Sequence, residues 1–220
     1  MDDFKNKVVL VTGAGKGTGQ AVAEAFAECG ASVAADDISP MNVEALAAWI
    51  NAHGGLAKAY VHDIAKKVAA QALINEVIDN FKRIDILVNC ANVKPHSPLL
   101  DMDEWDLHRA FEVNAIGTFI MIQSVGRVMR AQGGGIIVNV VKFEADVDHA
   151  AYAASRLAVV GLTQPAAAEF GPHNIHVHAA TCGLPQWNNS AETCTSLVEA
   201  VLALSGEKFA GQNGKILNVG

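Results

Sequence analysis

The stretch Thr12-Gly13-Ala14-Gly15-Lys16-Gly17-Thr18-Gly19 follows a short apolar run and precedes a segment of helical period from Gln20 to Cys29, which Gly30 stops. Glycines placed this way let a backbone turn tightly and approach a pyrophosphate, whose charge the unpaired N–H groups of a helix N-terminus would hold. An acid, Asp37, stands at the end of the second apolar run, twenty residues after Gly17. Its carboxylate suits the 2′- and 3′-hydroxyls of an adenosine ribose and repels a 2′-phosphate, which favours NAD over NADP. Asp36 is its rival in register. The plain alternatives are a solvated strand-end acid for either residue and a glycine-rich connection without a ligand for the turn.

Other reactive residue types carry less. His176 and His178 share one face of an expected strand, with His173 just before them, but no carboxylate or cysteine at ligand spacing completes a metal set. The four cysteines (Cys29, Cys90, Cys182, Cys194) form no C-x-x-C pair, so neither a disulfide framework nor a structural zinc site is expected. Cys182 reads either as a thiol at the active edge or as a small core residue. Asn188-Asn189-Ser190 fits a glycosylation sequon, which means nothing without secretion.

The elements that must position these residues follow from the apolar pattern. Strands are expected at Lys7–Val11, Ser32–Asp36, Ala57–Val61, Ile84–Asn89, Ile136–Val140, Ile175–Ala180 and Lys215–Val219. Helices alternate with them: one opened by Ser39-Pro40 and closed by Gly54-Gly55, one long helix from Trp105 to Ala131 capped by Asp103, and one from about Ala150 to Phe170. Alternation of this kind predicts βαβ units in an α/β, three-layer, doubly wound parallel sheet, a Rossmann fold, with ligands beyond the carboxyl ends of the strands. The chain has 220 residues, 51% of them hydrophobic, which supplies one core and predicts a single domain over 1–220. A net charge of −7 with scattered basic residues argues against nucleic acid. The apolar run Val8 to Val11 is too short for a signal-peptide core or a membrane span, so no membrane partner and a cytoplasmic location are expected.

Taken together, the motifs resemble the classical short-chain dehydrogenase/reductase family over nearly the whole chain. Thr12-Gly13-x-x-x-Gly17-x-Gly19 is similar to that family's cofactor motif, which would place Gly13, Gly15, Lys16, Gly17, Thr18 and Gly19 around the cofactor. Asp63-Ile64 resembles its adenine contact, and Asn89-Cys90-Ala91-Asn92 its Asn-Asn-Ala-Gly segment, adding Asp63, Ile64, Asn89 and Ala91. Asn114 matches the Asn that holds a water in the proton relay, and Tyr152-Ala153-Ala154-Ser155-Arg156 is similar to Tyr-x-x-x-Lys. The resemblance implies Tyr152 as general acid/base, a small carbonyl or alcohol substrate, and a homodimer or homotetramer built through the long helix and the Tyr152 helix.

Several positions depart from that pattern. Arg156 replaces the lysine that would hold the nicotinamide ribose and lower the tyrosine pKa. It keeps the charge four residues on, on the same helical face, but in a planar, longer and forked shape. Lys142 stands where a serine is usual in Ile137-Val138-Asn139-Val140-Val141-Lys142, although counting back from Tyr152 lands near Asn139, and neither register supplies a serine. Lys142 reads either as an electrostatic partner of Tyr152 or as a solvated strand-end lysine. Asn92 replaces a glycine. Cys182-Gly183 replaces Pro-Gly, Trp187 sits where a threonine is expected, and the lid segment from Leu184 to Thr195 is short. The expected activity is therefore NAD(H)-dependent hydride transfer between nicotinamide and a carbonyl or secondary alcohol, slowed or altered, with Tyr152, Arg156, Asn114 and Lys142 as catalytic candidates. Gly183 joins Tyr152 and Arg156 on the nicotinamide side. The alternative is a catalytically silent NAD-binding scaffold.

Overall fold

The first strand, β1 (Val8–Thr12), is buried at every residue. A run that is apolar on both faces belongs inside a parallel sheet covered by helices on each side, and the rest of the chain supplies those helices. The computed structural model describes residues 4–144, 146–184 and 196–219. In chain order its elements are β1, α1 (Gly17–Glu28), β2 (Ser32–Asp36), α2 (Pro40–Ala52), β3 (Leu56–Tyr60), α3 (Lys67–Phe81) and β4 (Ile86–Asn89). There follow α4 (Glu104–Phe111), a π-helical stretch Glu112–Gly117, α5 (Thr118–Gln132), β5 (Gly135–Lys142), α6 (Ala150–Phe170), β6 (Ile175–Cys182), α7 (Leu197–Ser205) and β7 (Ile216–Val219).

The seven strands form one parallel sheet in the order β3-β2-β1-β4-β5-β6-β7. Chain order reverses between β1 and β4, so a crevice opens beyond their carboxyl ends, where the glycine turn lies. Two apolar clusters fill the space on either side of the sheet, one around Val9, Val11 and Phe26, the other around Leu10, Leu73 and Met121. The register places Thr12 beside Asp36 and Asn89, Asn89 beside Asn139, and Lys142 beside Cys182. The chemistry-bearing residues therefore share one edge of the sheet.

The expected single-domain doubly wound sheet is what forms, with three corrections of detail. The helix expected from Trp105 to Ala131 is α4 and α5 joined through the π-helical turn, which adds a residue to the turn and changes which side chains face inward. Helices α3 and α7 are not among the expected elements; Lys66 precedes α3 without a side-chain cap, so the usual start signal is missing although Ala70, Leu73, Ile74 and Val77 keep helical spacing. β5 and β6 run on to Lys142 and Cys182, past the apolar residues, because each pairs with a neighbour there. Trp187, Asn188-Asn189-Ser190, Cys194 and nearly all of the short lid segment lie outside the described residues.

Candidate functional site

The glycine turn is built around close backbone approaches. Gly13 has φ +65°, and a Cβ there would lie 2.5 Å from the Ala91 Cα; a Cβ on Gly19 would meet the Gly13 carbonyl oxygen. Asp37 anchors the turn from the neighbouring strand end. Its Oδ2 accepts from the Gly15 N–H at 2.9 Å and its Oδ1 from the Ser39 N–H at 2.8 Å. Asp36 points elsewhere: 1% exposed, it accepts from the His62 N–H at 3.1 Å and faces the His62 ring at 3.6 Å. Of the two rivals, Asp37 is the half-buried carboxylate beside the turn.

Burial raises the Asp36 carboxyl from 3.8 to about 6, with His62 opposing the rise. The native chain therefore keeps a proton that the unfolded chain releases earlier, and Asp36 subtracts stability as the pH climbs through that window. His62, itself raised chiefly by its hydrogen bond to Asp36, adds stability that is lost only above its ordinary 6.5. We therefore expect Asp36→Asn to gain stability relative to wild type when urea midpoints are compared at about pH 4.5 and about pH 6.5. A wild type that gains relative to the variant over that interval contradicts the burial account.

Two cavities of about 340 and 290 Å³ share Gly13, Lys16, Asp37 and Asn92. The first continues to Ile38, Asp63, Ile64, Ala91 and Arg109, the second to Gly17, Thr18, Gly19, Tyr152 and Arg156. Together they make a groove across the switch point, suited to a dinucleotide. Asp63 accepts from the Ala65 N–H at 3.0 Å and lies 3.5 Å from the Arg109 guanidinium, an ion pair that no spacing in the sequence suggests. Ile64 is buried and the Ala91 N–H donates to the Thr12 hydroxyl at 3.4 Å. Asn89 faces inward, donating to Asn139 at 2.9 Å, and its Oδ1 has no partner among the described residues. Gly183 has φ +73° and sits against the Phe143 carbonyl, where a Cβ would collide.

At the other end the π-helical turn buries Asn114 completely. Its Oδ1 accepts from the Val93 N–H at 2.8 Å, and its Nδ2 donates to the Val93 carbonyl and the Ser155 hydroxyl, each at 2.9 Å. Both side-chain donors are thus committed to clamping the segment after β4 onto α6. Tyr152 is buried on α6 and its hydroxyl donates to the Lys142 carbonyl at 2.8 Å. Arg156, 2% exposed, donates from Nη2 to the Val140 carbonyl, and its Nε has no partner among the described residues. No carboxylate pairs with this guanidinium among the described residues. Burial pushes the Tyr152 phenol up, while Arg156 is the strongest influence drawing it back.

Lys142 meets Tyr152 through its main chain. Its ammonium is 60% exposed and turns to Glu144, with Nζ 3.0 Å from Oε1. Lys94 binds the other oxygen of Glu144, and its Nζ lies 5.8 Å from the centroid of the Tyr152 ring. Neither Lys94 nor Glu144 stands out in the sequence, since they meet only because β4 and β5 are neighbours. Ligand-type atoms of Glu144, Asp146 and His149 lie within 4.8 Å of one another, but both Glu144 oxygens are taken up by ammonium groups that would repel a cation. Burial raises the Cys90 thiol to about 12 and also raises Cys182, which makes both poor nucleophiles near neutral pH.

His176 and His178 lie at the opposite end of the sheet, their rings parallel with centroids 6.3 Å apart. They border a cavity of about 570 Å³ with Phe4, Arg83 and Ser205. It is larger than either part of the groove, yet it lies at the amino ends of the strands, away from the glycine turn and Tyr152. Burial lowers His178 to about 4, so it is a neutral ring near neutral pH, and its Nδ1 faces the Lys215 N–H at 3.3 Å.

Comparison with known proteins agrees with this geometry. A family profile described as short chain dehydrogenase matches residues 7–195. A D-threitol dehydrogenase of Mycolicibacterium smegmatis is 42% identical over 183 residues, 80% of this chain and 70% of that one. An NAD-dependent glycerol dehydrogenase of Listeria innocua is 41% identical over 182 residues, again 80% and 70%. Among solved structures, NAD+-bound xylitol dehydrogenase superposes with a TM-score of 0.85 at 28% identity and covers 98% of both chains.

Proposed function

The chain belongs to the short chain dehydrogenase family of oxidoreductases, and from that premise we propose that it is NAD(H)-dependent and acts on a secondary alcohol or the corresponding carbonyl of a small molecule. The observation that carries this reading is the single groove with a carboxylate-anchored glycine turn in one part and the Tyr152 phenol in the other. The residues fit a dinucleotide. Gly13 and Gly19 let the turn pack against backbone, a Cβ on Gly17 would project into open space on the groove wall, and the unpartnered Nε belongs to an arginine on that wall, Arg156. Gly13 to Gly19 would hold the pyrophosphate, Asp37 the adenosine ribose, Asp63 and Ile64 the adenine, and Tyr152 and Arg156 the nicotinamide ribose. Asn89, Ala91 and Gly183 would shape the walls.

When bound, the nicotinamide supplies or accepts the hydride. The protein's own part is the proton. Tyr152 would give its hydroxyl proton to the carbonyl oxygen in reduction and take it from the alcohol in oxidation. Arg156 favours the tyrosinate by its charge, and the Lys142 carbonyl sets the direction of the phenol. Asn114 acts one step removed, by holding the chain after β4 against α6.

Cofactor choice gives the direct test. In a fluorescence titration NADH should bind more tightly than NADPH, and Asp37→Ala should weaken NADH about tenfold or more, since a charged hydrogen bond contributes about 1.5–3 kcal/mol. NADPH binding more tightly than NADH would overturn the role given to Asp37. The relatives named as NAD-dependent or NAD+-bound support the same choice. A homodimer or homotetramer is supported by exposed apolar residues on and beside the α4–α5 face: Trp105 at 70%, Ile116 at 50% and Phe119 at 48% exposure. Light scattering that finds only monomer at micromolar concentration would remove this part. No described helix is long and apolar enough to cross a membrane.

A further inference from the structure

We propose that Lys94 and Lys142 form a carboxylate-recognition pair at the mouth of the site, occupied in the present structure by the chain's own Glu144, and that the substrate is therefore a small hydroxy acid or its oxo acid. This deepens the oxidoreductase reading and rests on it for the reaction.

Placement comes first. Lys142 ends β5, and its carbonyl oxygen holds the Tyr152 hydroxyl at 2.8 Å. Its ammonium is therefore one side-chain length from the reactive phenol. Lys94 approaches from the segment after β4 and stands 5.8 Å from the centroid of the same ring. Two ammonium groups, Lys94 beside the ring and Lys142 on the residue whose carbonyl holds the hydroxyl, thus share a single carboxylate, one oxygen on each. Two cations share one carboxylate in the trio, and the exposed Asp146 carboxylate, with its ligand atom within 4.8 Å of that of Glu144, offsets the remaining positive charge. Tyr152, Cys182 and the buried His149 are the other neighbouring titratable groups.

Exchange is cheap in this arrangement. The Glu144 side chain is 21% exposed and sits at the edge of water, so it can leave the pair without crossing the core. An incoming carboxylate then takes over both charge-assisted contacts, and the ammonium groups are never left unpaired. A neutral polyol gains nothing comparable, because it cannot displace an internal carboxylate from two cations. A short acid, with the carbinol one or two bonds from the carboxylate, suits the 5.8 Å between the Lys94 Nζ and the centroid of the Tyr152 ring. The reaction balances without any further reagent. The carbinol C–H leaves as hydride to NAD+, its O–H proton goes to Tyr152, and the products are an oxo acid, NADH and a proton.

The test compares glycerate with glycerol, which differ in one terminal carbon, by isothermal titration with and without NADH, so that no turnover occurs. Glycerate should bind at least about tenfold more tightly than glycerol. Lys94→Gln and Lys142→Gln should each reduce that preference about fivefold, the most expected of a half-exposed ion pair. Glu144→Gln is the decisive variant: it removes the internal competitor and should tighten glycerate severalfold. A permanent structural ion-pair cluster would instead make this variant neutral or weaker. Equal affinity for the two ligands, no glycerate binding in either wild type or Glu144→Gln, or unchanged or weaker glycerate binding in Glu144→Gln would each overturn the proposal. Its failure is separable from that of the oxidoreductase reading. The variant pattern without any NADH formation in turnover assays keeps the carboxylate site and removes the activity, whereas NADH formed from glycerol without lysine dependence does the reverse.

Discussion

Tyr152→Phe should lower turnover by about 10²- to 10⁴-fold, the range that a positioned general acid/base contributes, and should weaken NADH binding by no more than about tenfold, the loss of one neutral hydrogen bond to the nicotinamide ribose. The ring stays in place, buried on α6, and only the hydroxyl that donates to the Lys142 carbonyl is removed. That lost hydrogen bond costs about 1 kcal/mol of stability, too little to unfold a domain of this size. The pH dependence separates the two directions of reaction. Alcohol oxidation needs the tyrosinate, and burial holds the phenol above its ordinary value of 10.0. Below that point the tyrosinate fraction grows about tenfold per pH unit, so oxidation should climb steadily from neutral pH upward. Carbonyl reduction needs the protonated phenol and should not gain from the same rise in pH. Steady-state rates of both directions across that range check the assignment. Turnover that survives Tyr152→Phe, or oxidation that peaks near neutrality, would mean that another group moves the proton.

Particular residues show how far the sequence carries. Strand positions are legible because strands buried on both faces read as unbroken apolar runs, as Val8–Thr12 does. Strand ends are not, because β6 continues through Thr181 and Cys182 on the strength of pairing with β5 and β7 rather than of hydrophobicity. The α4–α5 helix keeps its apolar period on either side of Glu112–Gly117, and the extra residue of a π turn leaves no mark in residue type. Yet that turn carries Asn114 to Val93 and Ser155. Asp36 and Asp37 are adjacent, and adjacent strand residues point to opposite sides, so only the fold decides which one meets the glycine turn. The Lys94–Glu144 contact spans fifty residues and depends on two strands lying side by side, which no local spacing reveals.

Gly19→Ala should cut NADH affinity by more than about tenfold, the loss expected when charged hydrogen bonds to the pyrophosphate are displaced. The added Cβ lands on the Gly13 carbonyl oxygen and also lies 2.8 Å from the Gly13 carbonyl carbon and 3.2 Å from the Ala14 Cα. These are backbone atoms, so no side chain can rotate away. Gly13 cannot retreat toward the end of β4 either, because its own Cα already lies against Ala91, whose Cα would come within 2.5 Å of a Cβ there. The turn must open, at a cost of about 1–3 kcal/mol for forced overpacking, and the N–H groups at the start of α1 move with it. Gly54→Ala, after α2 and outside the groove, is the matched control. Gly54 has φ +87°, and a Cβ added to it would meet nothing within 4 Å, so alanine there incurs only the left-handed backbone penalty. That penalty is about 1–2 kcal/mol. Both variants should therefore lose similar stability in a thermal melt, while only Gly19→Ala loses NADH binding by more than its share. If the two bind NADH alike, the close approach of Gly19 to Gly13 is a packing feature and the pyrophosphate must be held elsewhere along the groove.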